Sequence, residues 1–308
     1  MNYLPQVTLI EVGPRDGLQN EPSFVPTAKK IEWINQLSRS GLKHIEVTSF
    51  VSSKAVPQLK DHDEVFKAID KPKGVHFSAL VPNEQGMHNA VAVGLKNIAL
   101  FTAASESFNQ RNIHCSIDES IERAKPVLVL ARQHQMHVRA YISCVLGCPY
   151  EGSIHPQQVV DVMLKLLKLG VDEVSFGDTI GVGTPKQTQA LIKAILPHLS
   201  PTLMAMHFHD TYGQAIANTY AALEAGIARF DSSVAGLGGC PYAPNSSGNV
   251  ATEDMLYLMH GLGIETGVDI YQIVTAGDMM CKILGRSNQS KVAKALLGRE
   301  DYMRSRGT

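Results

Sequence analysis

The sequence is short of several things, and each shortage removes a class of function. No apolar run reaches the roughly 20 residues that a bilayer span needs, which argues against a membrane partner. Charge of either sign is scarce in excess: 28 Lys and Arg against 29 Asp and Glu leave a formal charge of −1. That balance gives no electrostatic footprint for nucleic acid or for an anionic membrane surface. Five cysteines, odd in number and scattered, argue against a disulfide framework and for a reducing cytoplasm. The opening Met-Asn-Tyr-Leu-Pro-Gln has neither a signal nor a transit pattern, so the expected location is cytoplasmic. No linker-like shift in composition and no low-complexity segment divide the chain. It reads as one domain over residues 1–308, with a helical extension from about 265 onward.

What is present is an ordinary core-forming balance, 44% hydrophobic and 19% charged. Apolar, β-branched runs recur at 7–12, 44–49, 75–81, 97–101, 138–145, 171–176, 203–209 and 230–234. Helical patterns lie between them. One runs from Thr27 as N-cap through Ile31, Ile34 and Leu37 to Gly41; others cover 118–135, 156–169 and 252–262. Eight such units, each of roughly 30 residues, predict parallel strands covered by helices, a (β/α)₈ TIM barrel. A doubly wound sheet would carry a glycine-rich loop after its first strand, and Gly13-Pro14-Arg15-Asp16-Gly17 does not match one. Two further helices, near 270–284 and 290–297, form a C-terminal appendix.

Polar residues collect at the C-terminal ends of these strands, where barrel enzymes build their sites. His207 and His209 are two apart on a strand and so share a face, which suits a metal as well as a hydrogen-bonded core pair. Asp16 and Asn249 would add oxygens. A set of two nitrogens and two oxygens with open positions suits octahedral Mg²⁺ or Mn²⁺ better than closed tetrahedral Zn²⁺. By spacing alone Asp16 also fits a surface carboxylate, Asn249 a loop turn and Arg15 a surface ion pair. Glu46 would lie inside the barrel with His44 and Thr48, where a charge needs a partner. Asp178 and Thr179 follow the sixth strand, where Asp178 could cap a turn. Cys240 sits in a glycine-rich loop after the eighth strand, as an active thiol or an inert small residue. Cys144 and Cys148 read as packing residues, and the other nine histidines as structural.

Four stretches taken together resemble one family. Gly13-Pro-Arg-Asp-Gly-Leu-Gln-Asn20, Phe176-Gly-Asp-Thr-Ile-Gly-Val-Gly183, His207-Phe-His-Asp-Thr-Tyr-Gly213 and Ser233-Val-Ala-Gly-Leu-Gly-Gly-Cys-Pro-Tyr-Ala243 look like those of hydroxymethylglutaryl-CoA lyase, a likeness running from about residue 7 to 297. The resemblance implies that Asp16, His207, His209 and Asn249 are the divalent-metal ligands. It also implies that Arg15 polarises the substrate carbonyl, that Glu46 and Asp178 are acidic residues of the active centre, and that Cys240 is the catalytic loop cysteine. The reaction implied is a metal-assisted retro-Claisen cleavage of an acyl-CoA, of the kind met in leucine degradation, by a homodimer. Asp178 is the expected base, with Thr179 beside the substrate and Glu46 holding Arg15. The chain ends Ser-Arg-Gly-Thr, without the peroxisomal tripeptide of animal members, and resembles a bacterial, cytoplasmic one. A Claisen-type synthase or aldolase of the same superfamily would carry a Gly-Glu-Arg type sequence where this chain has Gly239-Cys240-Pro241-Tyr242. A related 3-hydroxyacyl-CoA substrate stays open on sequence, whereas Arg15, Asp178 and Cys240 alongside the metal set argue against a non-catalytic metal- or CoA-binding barrel.

Overall fold

The computed structural model describes residues 4–239 and 248–299. Eight strands close into a barrel in chain order: β1 (Thr8–Glu11), β2 (His44–Ser49), β3 (His76–Leu80), β4 (Asn97–Ala103), β5 (His137–Ser143), β6 (Glu173–Asp178), β7 (Met204–Phe208) and β8 (Arg229–Ser232). Neighbouring strands are parallel, and β1 completes the ring against β8. The helices are α1 (Thr27–Arg39), α2 (His62–Ala68), α3 (Glu84–Ala92), α4 (Glu106–Ile113), α5 (Ile117–Gln133), α6 (Pro156–Leu169), α7 (Pro185–Ile195), α8 (Ala215–Glu224), α9 (Thr252–Gly261), α10 (Ile270–Leu284) and α11 (Lys291–Leu297). The expected TIM barrel with two C-terminal helices is the fold observed. Among the described residues no helix is long and apolar enough to cross a membrane.

Local chemistry sets many of the boundaries. Capping boxes at Ser116 with Glu119 and at Thr184 with Gln187 satisfy the first free N–H groups of α5 and α7. Gly170, at φ 92°, stops α6 in a conformation that a side chain disfavours. Three details differ from expectation. Thr27 lies inside α1 with Pro26 as its cap, because the threonine hydroxyl donates to Asp61 at 2.8 Å. The β4–β5 connection holds α4 as well as α5; Glu106–Ile113 is short and mostly polar, lacks an apolar stripe and is fixed by its Ser105 cap. Strand β6 extends through Asp178, so that residue belongs to the sheet and not to the loop after it.

The main apolar core lies between the sheet and the helices, where Trp33, Ile34 and Leu37 of α1 and Phe176, Phe208 and Phe230 of the strands are buried. Ile273, Ala276 and Met280 of α10 join the same core. Inside the barrel the filling is different. Small apolar patches, Ile10 with Val12 and Ala205, and Leu80 with Ala99 and Tyr141, flank a buried set of charges: Glu46, Arg139, Glu173 and Asp231. Barrel interiors are usually filled by branched aliphatic residues. Charges here persist because each one has a partner, as the site shows.

Candidate metal centre and active site

After β1 the chain makes one turn of π-helix, Gly13–Gly17, in which the N–H groups of Arg15, Asp16 and Gly17 all converge on Val12 O (3.1, 2.7 and 3.2 Å). Such wide turns are frequent at functional sites. Close approach favours glycine at the start of this turn: a Cβ on Gly13 would lie 2.5 Å from Glu11 Oε1 and would displace a buried carboxylate held by Gly13, Val234 and Thr252. The turn delivers Arg15 and Asp16 to the top of the barrel. Arg15 is 6% exposed. Its Nη1 donates to Asp16 Oδ1 at 2.6 Å, and its Nε forms an ion pair with Glu46 Oε1. Tyr141 closes the set, donating its hydroxyl to Glu46 Oε2 at 2.8 Å and lying 5.4 Å beneath the guanidinium. Burial works against the Arg15 charge, but Glu46 and Asp16 outweigh it and hold the guanidinium protonated. Glu46 therefore has the expected partner, and both its oxygens are occupied.

On β7 the two-residue period puts His207 and His209 on one side, ring centroids 5.2 Å apart. Ligand atoms of Asp16, His207 and His209 all lie within 4.8 Å of one another. His207 Nε2 is 4.0 Å from Asp16 Oδ2, while its Nδ1 is 3.2 Å from Asp231 Oδ2. His209 is bridged in the backbone to Asn249, and its Nδ1 is buried with no hydrogen-bond partner among the described residues. Burial, aided by His207, lowers the His209 pKa to about 4, so the ring is neutral at pH 7. Burial pushes Asp16 up, yet Arg15 and the two histidines outweigh it and keep the carboxyl well below the usual range. A low-pKa carboxylate, a neutral imidazole and an orphaned ring nitrogen fit a divalent cation. Asn249 stands at the same place: its amide donates to Asp16 Oδ2 at 2.8 Å and to Leu237 O at 3.2 Å. In this pose it orients Asp16, and an amide flip turns its oxygen to that side.

The structure does not bring Asp178 into this group. In β6 the residues that face the axis are Ser175 and Gly177, so Asp178 faces the helices. Its carboxylate accepts from the N–H groups of Val182 (3.2 Å) and Gly183 (2.9 Å) and is fully buried, and burial raises its pKa to about 6. Thr179 is on the wall of the cleft, its hydroxyl accepting from Cys144 N at 2.8 Å. Cys240 lies outside the described residues. The cleft has a volume of about 640 Å³ and opens from Arg15, His207 and His209 past Leu80 and Phe101 toward Val56 and Phe108.

A family model described as HMGL-like matches residues 6–280. The chain belongs to the HMGL-like family. A relative from Pseudomonas aeruginosa, named 3-hydroxy-3-isohexenylglutaryl-CoA/hydroxy-methylglutaryl-CoA lyase, is 56% identical over 97% of this chain and 100% of its own. A crystal structure of hydroxymethylglutaryl-CoA lyase from the same species superposes with a TM-score of 0.95 at 56% identity, covering 96% of this chain and 99% of that one. A second, of an HMG-CoA lyase from Acinetobacter baumannii in complex with coenzyme A and 3-methylmalate, gives 0.91 at 36% identity, with 97% and 98% covered.

Several residues of this HMGL-like site escape a reading by motif. Asp231 supports His207 and is held by Arg139 Nη2 at 2.6 Å and Ser175 Oγ at 2.8 Å. Tyr141 holds Glu46. Behind the turn, Glu11 accepts from Gly13 N, Val234 N and Thr252 Oγ1, and burial raises its pKa to about 7. Glu253 accepts from Ala235 N at 2.9 Å, fixing the φ of 61° there, and burial raises it to about 8. The signal for Asp231 is in the sequence: a carboxylate within the apolar eighth strand, the same feature that marks Glu46 in the second.

Proposed function

We propose that the protein cleaves 3-hydroxy-3-methylglutaryl-CoA to acetoacetate and acetyl-CoA, with a divalent cation, Mg²⁺ or Mn²⁺, held by Asp16, His207, His209 and Asn249. The observation that carries this reading is the convergence of Asp16, His207 and His209 within 4.8 Å beside a buried, ion-paired Arg15. When bound, the cation supplies Lewis-acid polarisation of the substrate's C3 and carboxylate oxygens.

The chain's own residues supply the rest. The C2–C3 bond breaks as the C3 hydroxyl loses its proton. C3 becomes the ketone of acetoacetate, and the bonding pair passes to the enolate of acetyl-CoA. Charge then gathers on the thioester oxygen. Arg15 meets it there, its fork already fixed by Glu46 and Asp16, so no reorganisation is needed as charge develops. Asp178 is the proposed base. Burial has moved it to about 6, the range for proton transfer near neutral pH, although its oxygens first have to leave Val182 and Gly183. The enolate carbon takes its proton from Cys240, a thiol being a far stronger acid than a serine hydroxyl. The test is acetoacetate release from the CoA thioester by purified protein, measured with and without EDTA. No release, or release indifferent to EDTA, rejects the reading. The same reading has the chain act as one catalytic domain in a cytoplasmic homodimer; light scattering of the purified protein tests the dimer.

One observation favours a wider substrate range. The cleft beside Arg15 continues over Leu80, Phe101, Phe108 and Ile113, more apolar wall than a C3 methyl group uses. The 56% identical relative is named for an isohexenyl as well as a methyl substrate. A kcat/KM for the isohexenyl thioester within about tenfold of that for the methyl one, lost selectively in Phe101→Trp, supports it; equal losses on both substrates assign that wall to the CoA arm instead.

A further inference from the structure

The buried charges inside the barrel form a column, and its top touches the metal site. Arg229 of β8 pairs with Glu173 at 2.7 Å, Glu173 with Arg139 at 3.1 Å, and Arg139 with Asp231 at 2.6 Å. The middle contact is an ion pair whose angle is too poor for a hydrogen bond, whereas the Arg139–Asp231 contact is a hydrogen bond. Asp231 is opposite His207 in the register between β7 and β8 and is 2% exposed. One of its oxygens is taken by Arg139. The other accepts from Ser175 at 2.8 Å and stands 3.2 Å from His207 Nδ1.

An ionised carboxylate can only accept hydrogen bonds. The Arg139 guanidinium, an always-charged donor 2.6 Å from one oxygen, and the Ser175 hydroxyl, which donates to the other at 2.8 Å, both pair with the carboxylate form of Asp231. A contact from His207 Nδ1 to such a group requires that nitrogen to carry the proton. Nε2 is then left with its lone pair, and Nε2 is the atom that faces Asp16. Among the described residues His209 has no such partner for its Nδ1. The two imidazoles therefore differ among the described residues: His207 has a carboxylate partner at Nδ1 and His209 has none.

We propose that Asp231, anchored by Arg139 and Ser175, is the positioning residue of the metal site, fixing His207 as the Nδ1–H tautomer with Nε2 presented to the cation. This rests on the divalent-cation reading above. Ligand histidines gain affinity from such carboxylates, typically 10–100-fold.

Two measurements test it. The first uses wild-type protein labelled with ¹⁵N-histidine, stripped with a chelator at pH 8.5, with His207 assigned by the signal missing from His207→Gln. A proton on Nδ1, shifted downfield by its carboxylate, is expected; a proton on Nε2 overturns the proposal. The second is Mn²⁺ binding followed by electron paramagnetic resonance. Asp231→Asn is expected to weaken Mn²⁺ by about 10–100-fold, and wild-type affinity in a folded Asp231→Asn overturns the proposal, because a purely structural role lowers Tm without moving Mn²⁺ affinity. Should the variant not fold, the tautomer in the wild-type chain decides alone. Failure of wild-type protein to bind Mn²⁺ rejects the cation reading, and the proposal with it, and is seen separately from either result.

Discussion

Replacing Arg15 by Lys isolates geometry from charge. Truncation to Ala would leave Glu46 and Asp16 facing each other without a counter-ion, and breaking a buried pair in that way costs about 3–5 kcal/mol of stability. Lysine keeps the positive charge near both carboxylates, so the fold stays intact. What it loses is the planar fork: Arg15 reaches Glu46 with Nε and Asp16 with Nη1 while its remaining donors line the cleft. A single ammonium in the same space satisfies the carboxylates or the developing enolate oxygen, but not both in line. Losing one preorganised donor of an oxyanion site costs about 3 kcal/mol in the transition state, a fall in kcat of about 10²-fold. KM is expected to change much less, since the contact strengthens mainly as charge develops. Steady-state assays of acetoacetate formation, with Tm as the control for folding, measure this. A large rise in KM with normal kcat refutes the argument and makes Arg15 a substrate anchor only.

Other outcomes follow from the same geometry. Asp178→Asn is expected to abolish turnover while Mn²⁺ still binds; an active Asp178→Asn beside an inactive Glu46→Gln moves the base to Glu46. Cys240→Ser should keep substrate and metal binding but lose most turnover, a hydroxyl being a far weaker acid, and alkylation should inactivate through the same thiol, which mass spectrometry locates. Cys144 and Cys148, buried and with Cys144 pushed well up by that burial, should escape the label. At the other end of the barrel, burial, then Arg229 and His76, lower the His44 pKa to about 4. The unfolded chain, with a histidine pKa near 6.5, takes up that proton first. Stability is therefore lost as pH falls from about 6.5 to 4, and thermal melts of His44→Gln should show a shallower loss over that window; an unchanged slope rejects the assignment.

The barrel was legible because strands and helices alternate with a regular period, and His207 and His209 were legible because a strand shows alternate residues on one face. Glu46 announced itself as a charge in an apolar strand. The structure supplies what depends on contacts distant in sequence. Asp231 and Tyr141 are 24 and 66 positions from His207, and Arg139 is 92 from Asp231; they meet only across the strands of the folded barrel. Asp178 shows the opposite limit. Its motif was plain, but β6 runs two residues past the expected end at Phe176, so Asp178 takes its direction from the strand's alternation and its carboxylate meets the backbone of Val182 and Gly183. Helix α4 went unread because eight polar-rich residues with a serine cap resemble a loop until Phe108 is seen packed beneath them.

The most direct test of the central claim joins metal to turnover in one titration. Protein stripped by chelation is given Mn²⁺ in steps, bound ion is counted by electron paramagnetic resonance, and acetoacetate release from 3-hydroxy-3-methylglutaryl-CoA is measured at each step. The expected result is about one Mn²⁺ per chain, with activity rising in proportion to the bound ion and both lost in His209→Ala. Full activity in the stripped protein, or an active His209→Ala that binds Mn²⁺ as the wild type does, contradicts the account.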